Sequence, residues 1–268
     1  MDFKFKIDKI NDKESENYFN LYNQGSDLSF SSEISLGEGG FGKTWKASIE
    51  KNEFAIKIFN ASSIVTYENE FQALKALGGA EGHSPKVFAY GKVYFPEKKD
   101  PLPAIVMEYM RGMPLQTRVE SQNGSENSSC LDLLAGGNGL LLGSEQVLSI
   151  VQQAALASDA CFQRGANGSL GVHRDLSPDN IIVEVDKDHR AVRKVSFVDW
   201  GSSPKAKGLI TPAHAARFGK VLFSSPEIFF GNHSSNRTDI TVDIYSIGLL
   251  AFWLRTRKYP LATELKPW

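Results

Sequence analysis

His173-Arg174-Asp175-Leu176-Ser177-Pro178-Asp179-Asn180 runs straight into the apolar stretch Ile181-Ile182-Val183. An acid and an amide thus stand five residues apart in a short loop ahead of a predicted strand. A carboxylate at Asp175 can accept a proton from a hydroxyl. An amide oxygen at Asn180 suits a hard cation such as Mg²⁺, which takes oxygen ligands, keeps several waters and bridges to phosphates. Together they suit phosphoryl transfer, in which a protein mainly positions groups and neutralises charge.

Upstream, Gly37-Glu38-Gly39-Gly40-Phe41-Gly42 has the glycine content of a loop whose backbone approaches phosphates closely. The same spacing also marks dinucleotide-binding turns, so context must decide. No helical pattern follows Gly42. Instead Thr44–Ile49 and Glu53–Phe59 read as two strands around the turn-like Lys51-Asn52. Lys57 lies in the second strand between apolar neighbours. The next segment, Tyr67 to Leu77, has helical spacing, with Phe71, Leu74 and Leu77 on one face. Two glutamates on this helix, Glu70 and Glu68, are candidate acidic partners for Lys57.

Three later segments follow in order. Ala104-Ile105-Val106-Met107-Glu108-Tyr109-Met110-Arg111-Gly112 reads as a buried strand running into a polar bend. Val195-Ser196-Phe197-Val198-Asp199-Trp200-Gly201 reads as a strand that ends on a carboxylate. Then come Gly219-Lys220-Val221-Leu222-Phe223-Ser224-Ser225-Pro226-Glu227 and the apolar helical pattern from Asp243.

These segments, in this order, resemble the eukaryotic-type protein kinase superfamily over about residues 34 to 260. The resemblance implies an α+β, bilobal fold: a β-rich N-lobe with one main helix, a mostly helical C-lobe lacking the last helices, and ATP between them. It implies the roles as well. Asp175 is the catalytic base; Asn180 and Asp199 hold Mg²⁺; Lys57, steadied by Glu70 rather than Glu68, meets the ATP phosphates under Gly37, Gly39 and Gly42. Met107 is the gatekeeper, the backbone of Glu108 and Met110 bonds the adenine edge, and Thr44, Ala55 and Ile182 sandwich the ring. Leu74, Val87, His173 and Trp200 form a second apolar column between the lobes. Asp243 holds the catalytic-loop backbone.

The expected organisation is an N-terminal extension over 1–33 and a kinase-like domain over 34–268. Its N-lobe covers about 34–107, its C-lobe about 111–268, and a polar insert about 118–143. The extension, with Phe3, Phe5, Tyr18, Phe19 and Tyr22, is read as an arm or an extra strand or helix on the N-lobe. A long helix is expected from a Ser144 cap to about Phe162. The apolar run Ile244–Leu254 is expected to be buried on all sides.

The chain departs from the family at Ser177, where serine/threonine members carry a lysine, and at Lys220, where they carry a threonine. Three functions are open: a protein kinase, with serine/threonine favoured over tyrosine; a pseudokinase scaffold; and a small-molecule phosphotransferase. Ser202, Ser203 and Thr211 are candidates for activating phosphorylation near Arg174, with Thr211 favoured.

The 268 residues suffice for two lobes, and a net charge of −1 with 23% charged residues points to no polyanion partner such as nucleic acid. No secretory signal pattern or membrane-length apolar run is visible, so a cytoplasmic protein is expected, as compatible with a bacterial signalling kinase as with one delivered into a host. The two cysteines, Cys130 and Cys161, are expected to be free thiols. ATP and a protein substrate are the expected partners, with a further protein or a second copy possible at the short C-lobe.

Overall fold

The computed structural model describes residues 2–10, 27–49, 52–95, 100–116, 130–134, 142–165, 170–186, 191–203, 221–229 and 239–259. Strands β1 (Asp2–Ile10), β2 (Asp27–Gly39), β3 (Gly42–Ile49) and β4 (Asn52–Phe59) lead into helix α1 (Ile64–Leu77). Then come β5 (Val87–Tyr94) and β6 (Leu102–Glu108). These six strands form a closed antiparallel barrel in the order β1-β2-β3-β4-β6-β5. The C-lobe has the short β7 (Met113–Pro114), α2 (Cys130–Leu134) and α3 (Ser144–Arg164). It continues with β8 (Ile181–Val185), β9 (Val192–Phe197), α4 (Pro226–Phe229) and α5 (Thr241–Thr256). Strands β7, β8 and β9 make a second, three-stranded sheet.

The two-residue period of β4 explains how one strand serves two cores. Phe54, Ile56 and Ile58 fill the barrel with Ala47, Ala89, Val93, Ala104 and Val106. Ala55 and Phe59 face the other way, into the larger core shared with α1, α3 and α5. Lys57 is on that second face. In α3 the buried residues Val147, Ile150, Ala154, Ala157 and Cys161 recur at helical spacing.

Several expectations about elements change. Of the forms expected for residues 1–33, β1 is an extra strand on the N-lobe, paired with β2 and β5, while β2 crosses residue 34, so the sheet is continuous through both. Phe5 is fully buried in the barrel core. Burying such a side chain stabilises by about 1.5–3 kcal/mol. Gly143, not Ser144, caps α3, because the Gln146 side chain reaches back and accepts the Gly143 N–H at 3.0 Å. The helix runs to Arg164. In α5, Ile247, Leu249, Leu250, Trp253 and Leu254 are buried, but Ile244 and Phe252 are 47% and 44% exposed, so burial on all sides does not hold. Among the described residues no helix is long and apolar enough to cross a membrane.

Candidate active site

Lys57 projects from β4 toward α1, where Phe71, Leu74 and Leu77 pack into the core. That packing turns Glu70 inward, and Lys57 Nζ donates to Glu70 Oε2 at 2.6 Å and to Asp199 Oδ1 at 2.8 Å. Glu68 is exposed. Burial alone would lower the Lys57 pKa. The charges of Asp199 and then Glu70, with their hydrogen bonds, outweigh it and hold the ammonium above its ordinary range. The cation is therefore fixed in its charged form.

Asp243, fully buried at the start of α5, organises the loop that bears Asp175. Its two carboxylate oxygens accept the backbone N–H groups of His173 at 2.7 Å and Arg174 at 2.9 Å. Burial pushes its carboxyl up to about 6, while those N–H groups and Arg174 pull it back. The His173 ring sits between two backbone groups. Its Nε2 lies 2.9 Å from the Val198 carbonyl and its Nδ1 accepts the Asp175 N–H at 3.3 Å, which assigns the proton to Nε2. The ring also packs on Trp200, with centroids 4.7 Å apart. Asn180 Nδ2 donates to the Asp175 carbonyl at 2.9 Å, and the Asn180 carbonyl accepts the Val198 N–H at 3.0 Å. Loop and Asp199 strand are thus bound together through backbone.

Arg174 (φ 68°) and Asp199 (φ 65°) both adopt the left-handed region that is uncommon for residues with a side chain. At Ser177 the hydroxyl donates to Asp179 Oδ1 at 2.5 Å. Ser203 is buried and donates to the Val172 carbonyl at 2.9 Å. Thr211 and Lys220 lie outside the described residues.

Among the residues expected to face nucleotide, Thr44 pairs with Lys57 across β3 and β4, and Ala55 pairs with Met107 across β4 and β6. Ile181 and Val183 are buried in the C-lobe core, so the pleat turns the half-buried Ile182 to the opposite face. The Glu108 N–H is bonded to the Lys86 carbonyl at 2.8 Å. A Cβ on Gly42 would collide with the Ile58 carbonyl oxygen, so glycine is required there by close packing. At Gly37 and Gly39 the position of a Cβ is open, with nothing within 4 Å of the first and the nearest atom 4.0 Å from the second.

Two features of the site region were not read from the sequence. The loop after α1 is fastened to β9: Lys194 Nζ donates to the Glu81 carbonyl and Ser196 Oγ to the Gly82 carbonyl, both at 2.8 Å. The Phe197 N–H donates to the His83 carbonyl, also at 2.8 Å, and His83 Nδ1 lies 2.7 Å from the Val195 carbonyl. Gly78, Gly79 and Gly82, all at positive φ, were the available signal. The second is Gly112 (φ 117°), at the end of the hinge, the short segment that joins β6 to β7, where a Cβ would stand 2.5 Å from the Val183 carbonyl oxygen.

Cys130 and Cys161 are both free and buried. Burial pushes the Cys130 thiol up to about 12, and burial with Asp243 nearby pushes Cys161 up too, so neither is a nucleophile. Among the described residues no three His, Cys, Asp or Glu side chains are grouped to hold a metal.

A β-barrel lobe and a helical lobe thus meet where Lys57 bridges Glu70 and Asp199, and the strand that ends on Asp199 is bonded to the loop bearing Asp175 and Asn180. Residues 30–266 match the family described as "Protein kinase domain", and the chain belongs to that family. Serine/threonine-protein kinase D of Synechocystis sp. is 24% identical over 241 residues, covering 85% of this chain and 40% of the relative. Serine/threonine-protein kinase PknA of Nostoc sp. is 25% identical over 247 residues, covering 87% and 38%. The chain thus spans 40% or less of the length of these relatives. The kinase domain of Mycobacterium tuberculosis PknI has the same fold, with a TM-score of 0.53 at 19% identity, over 89% of this chain and 78% of that structure.

Proposed function

We propose that this chain is an ATP-dependent protein kinase that transfers the γ-phosphate to a protein hydroxyl, serine or threonine. The observation that carries the reading is the double pairing of Lys57, at 2.6 Å from Glu70 and 2.8 Å from Asp199. It joins the nucleotide strand, the N-lobe helix and the metal-side carboxylate in one arrangement. The serine/threonine kinases among the matched relatives support the choice of hydroxyl.

The residues fit Mg²⁺ and ATP. Asn180 and Asp199 offer hard oxygen ligands in the small number that Mg²⁺ takes from protein when waters and phosphates complete its shell. Because the Asn180 amide nitrogen is committed to Asp175, its oxygen is the atom available to a cation. When bound, Mg²⁺ supplies charge neutralisation at the β- and γ-phosphates. Lys57 holds phosphate oxygens, and Glu70 holds Lys57. Open space at Gly37 and Gly39, and the tight approach at Gly42, let backbone N–H groups reach the phosphates. Thr44, Ala55 and Ile182 bracket adenine, with Met107 behind it. The Glu108 N–H is already bonded, so adenine is left the Glu108 carbonyl and the Met110 N–H. Asp175 would orient the acceptor hydroxyl and take its proton as that oxygen bonds to the γ-phosphorus, while the bond from the γ-phosphorus to the bridging oxygen breaks and ADP leaves with that electron pair.

One observation favours a second reading, a catalytically weak scaffold. Ser177 stands where the resemblance expects a phosphate-steadying lysine, and its hydroxyl is turned onto Asp179. The half-exposed Ile244 and Phe252 support a protein partner or second copy at the lower C-lobe.

Two variants separate the roles. Asp175→Ala is expected to lower phosphate transfer by about 10²–10⁴-fold while leaving nucleotide affinity nearly unchanged. Asp199→Ala is expected to abolish the Mg²⁺ dependence of nucleotide binding as well. Full transfer by Asp175→Ala removes the proposal; absent transfer by wild type with intact nucleotide binding selects the scaffold.

A further inference from the structure

The phosphate-loop strand β2 changes partner along its length, and its two ladders overlap only at Ser31. β1 pairs Asp2–Lys6 with Ser31–Asp27, and β3 takes over from Ser31 to Gly39. Immediately beyond that overlap the β2–β3 ladder slips register twice, between Ser32 and Ile34 and between Ser35 and Gly37. Such bulges bend a strand and sharpen its twist. The arm beyond them is poorly covered: Ile34 and Leu36 are 54% and 39% exposed. The β2 half of the glycine loop is thus an edge, held beyond Ser31 by β3 alone, whereas β3 stays paired with β4 as far as Gly42 with Phe59; the fulcrum of the β2 half is the last point at which β1 holds it.

The other edge of β1 pairs with β5, from Lys4 with Tyr94 to Ile10 with Ala89. Phe5 is opposite Leu28 on one side and Val93 on the other. Its side chain is fully buried in the barrel core. Without β1, the backbone groups of Asp27–Ser31 and Ala89–Tyr94 that face it lose their ladder, and the core loses its plug. The fulcrum would then be free to move, and ordering the arm over a bound nucleotide would draw on binding free energy.

We propose that β1 is a positioning element for nucleotide binding, with Phe5 as the residue that locks it. By closing the barrel it fixes the point from which Gly37–Gly42 is held over the phosphates. The inference rests on the reading of that loop as the phosphate cradle.

The test uses the full chain and reads nucleotide affinity rather than phosphate transfer, so it is independent of whether protein is the acceptor. Dissociation constants for an N-methylanthraniloyl ATP with Mg²⁺ are measured by anisotropy for wild type, Phe5→Ala, Phe5→Leu and Ile150→Ala. Ile150→Ala removes a buried side chain from α3 in the other lobe and controls for general loss of stability. Phe5→Ala is expected to weaken binding by about fivefold or more, the low end of coupling between separate sites, while Phe5→Leu recovers most of it. Ile150→Ala, despite a comparable fall in Tm, is expected to leave affinity unchanged.

Unchanged affinity in Phe5→Ala, or equal weakening in Ile150→Ala, overturns the inference. Should Phe5→Ala not fold, hydrogen exchange on wild type decides. Amides of Asp27–Ser31 should be protected with or without nucleotide, and those of Ile34–Gly42 only with it. Protection that rises together in both stretches contradicts a fixed fulcrum. A folded wild type that binds no nucleotide overturns this inference and the reading beneath it.

Discussion

Lys57 shows how much one buried charge can organise. Its two acidic partners come from different lobes, and Glu70 is only 1% exposed. Removing one partner of a buried, hydrogen-bonded pair costs about 3–5 kcal/mol, because the remaining charge stays desolvated. Lys57→Met, which keeps much of the side chain's length, should therefore lower the urea midpoint as well as phosphate transfer. A variant that is inactive but fully stable would mean that Glu70 and Asp199 do not depend on this cation. The choice of Glu70 over Glu68 came from the kinase resemblance, in which the partner glutamate stands four before Leu74 and seven before Leu77, and in the structure Glu70 is buried while Glu68 is exposed. The destination of the Ser177 hydroxyl was not, since a loop hydroxyl has several acceptors in reach and only the loop's conformation selects one. Asp243 carries a pH signature. Its folded pKa, about 6, lies above its ordinary 3.8, so the folded chain binds this proton more tightly than the unfolded chain. Its stabilising contribution is fully present below about pH 4 and is lost as pH rises through about 6. The stability of wild type relative to Asp243→Asn should accordingly fall between those limits, in urea titrations at a series of pH values. A difference that is flat with pH would contradict the burial of an ionisable carboxyl under the catalytic loop.

Individual elements were legible where their signal was local. The alternation in β4 and the spacing in α1 each follow from side chains that share a face, so a short window suffices. What escaped is non-local. The β1 stretch reads as alternating apolar and charged residues, but nothing within it names β2 and β5 as its neighbours. The four bonds that fasten the loop after α1 to β9 use backbone carbonyls and common polar side chains, which carry almost no sequence signal. Gly112 is similar: its need is visible only once β8 is seen behind it. Gly112→Ala would combine a φ of 117° with a Cβ 2.5 Å from the Val183 carbonyl oxygen, and neither the backbone of β8 nor that of the hinge can easily yield. It should destabilise by about 1–3 kcal/mol and weaken nucleotide binding, because β7 and the hinge shift together. Thermal unfolding and nucleotide titration of the same preparation check both. Wild-type values in either would show that the close approach is not needed.

For the molecule as a whole, the architecture was legible because the motifs stand in the order of the protein kinase family, and that resemblance implied a bilobal fold. The surface of α5 was less legible. A helix that is apolar nearly all round implies burial, yet Ile244 and Phe252 stay half-exposed, because composition does not say how many sides of a helix find neighbours. The central claim is that the site built around Lys57, Asp175 and Asp199 passes phosphate from ATP to a protein hydroxyl. The most direct measurement is incubation of the purified chain with γ-labelled ATP, Mg²⁺ and generic protein substrates, followed by mass spectrometry of every protein present. The account predicts Mg²⁺-dependent phosphate on serine or threonine, absent with Asp175→Ala. Bound nucleotide with no phosphorylated protein, or transfer undiminished in Asp175→Ala, would contradict it.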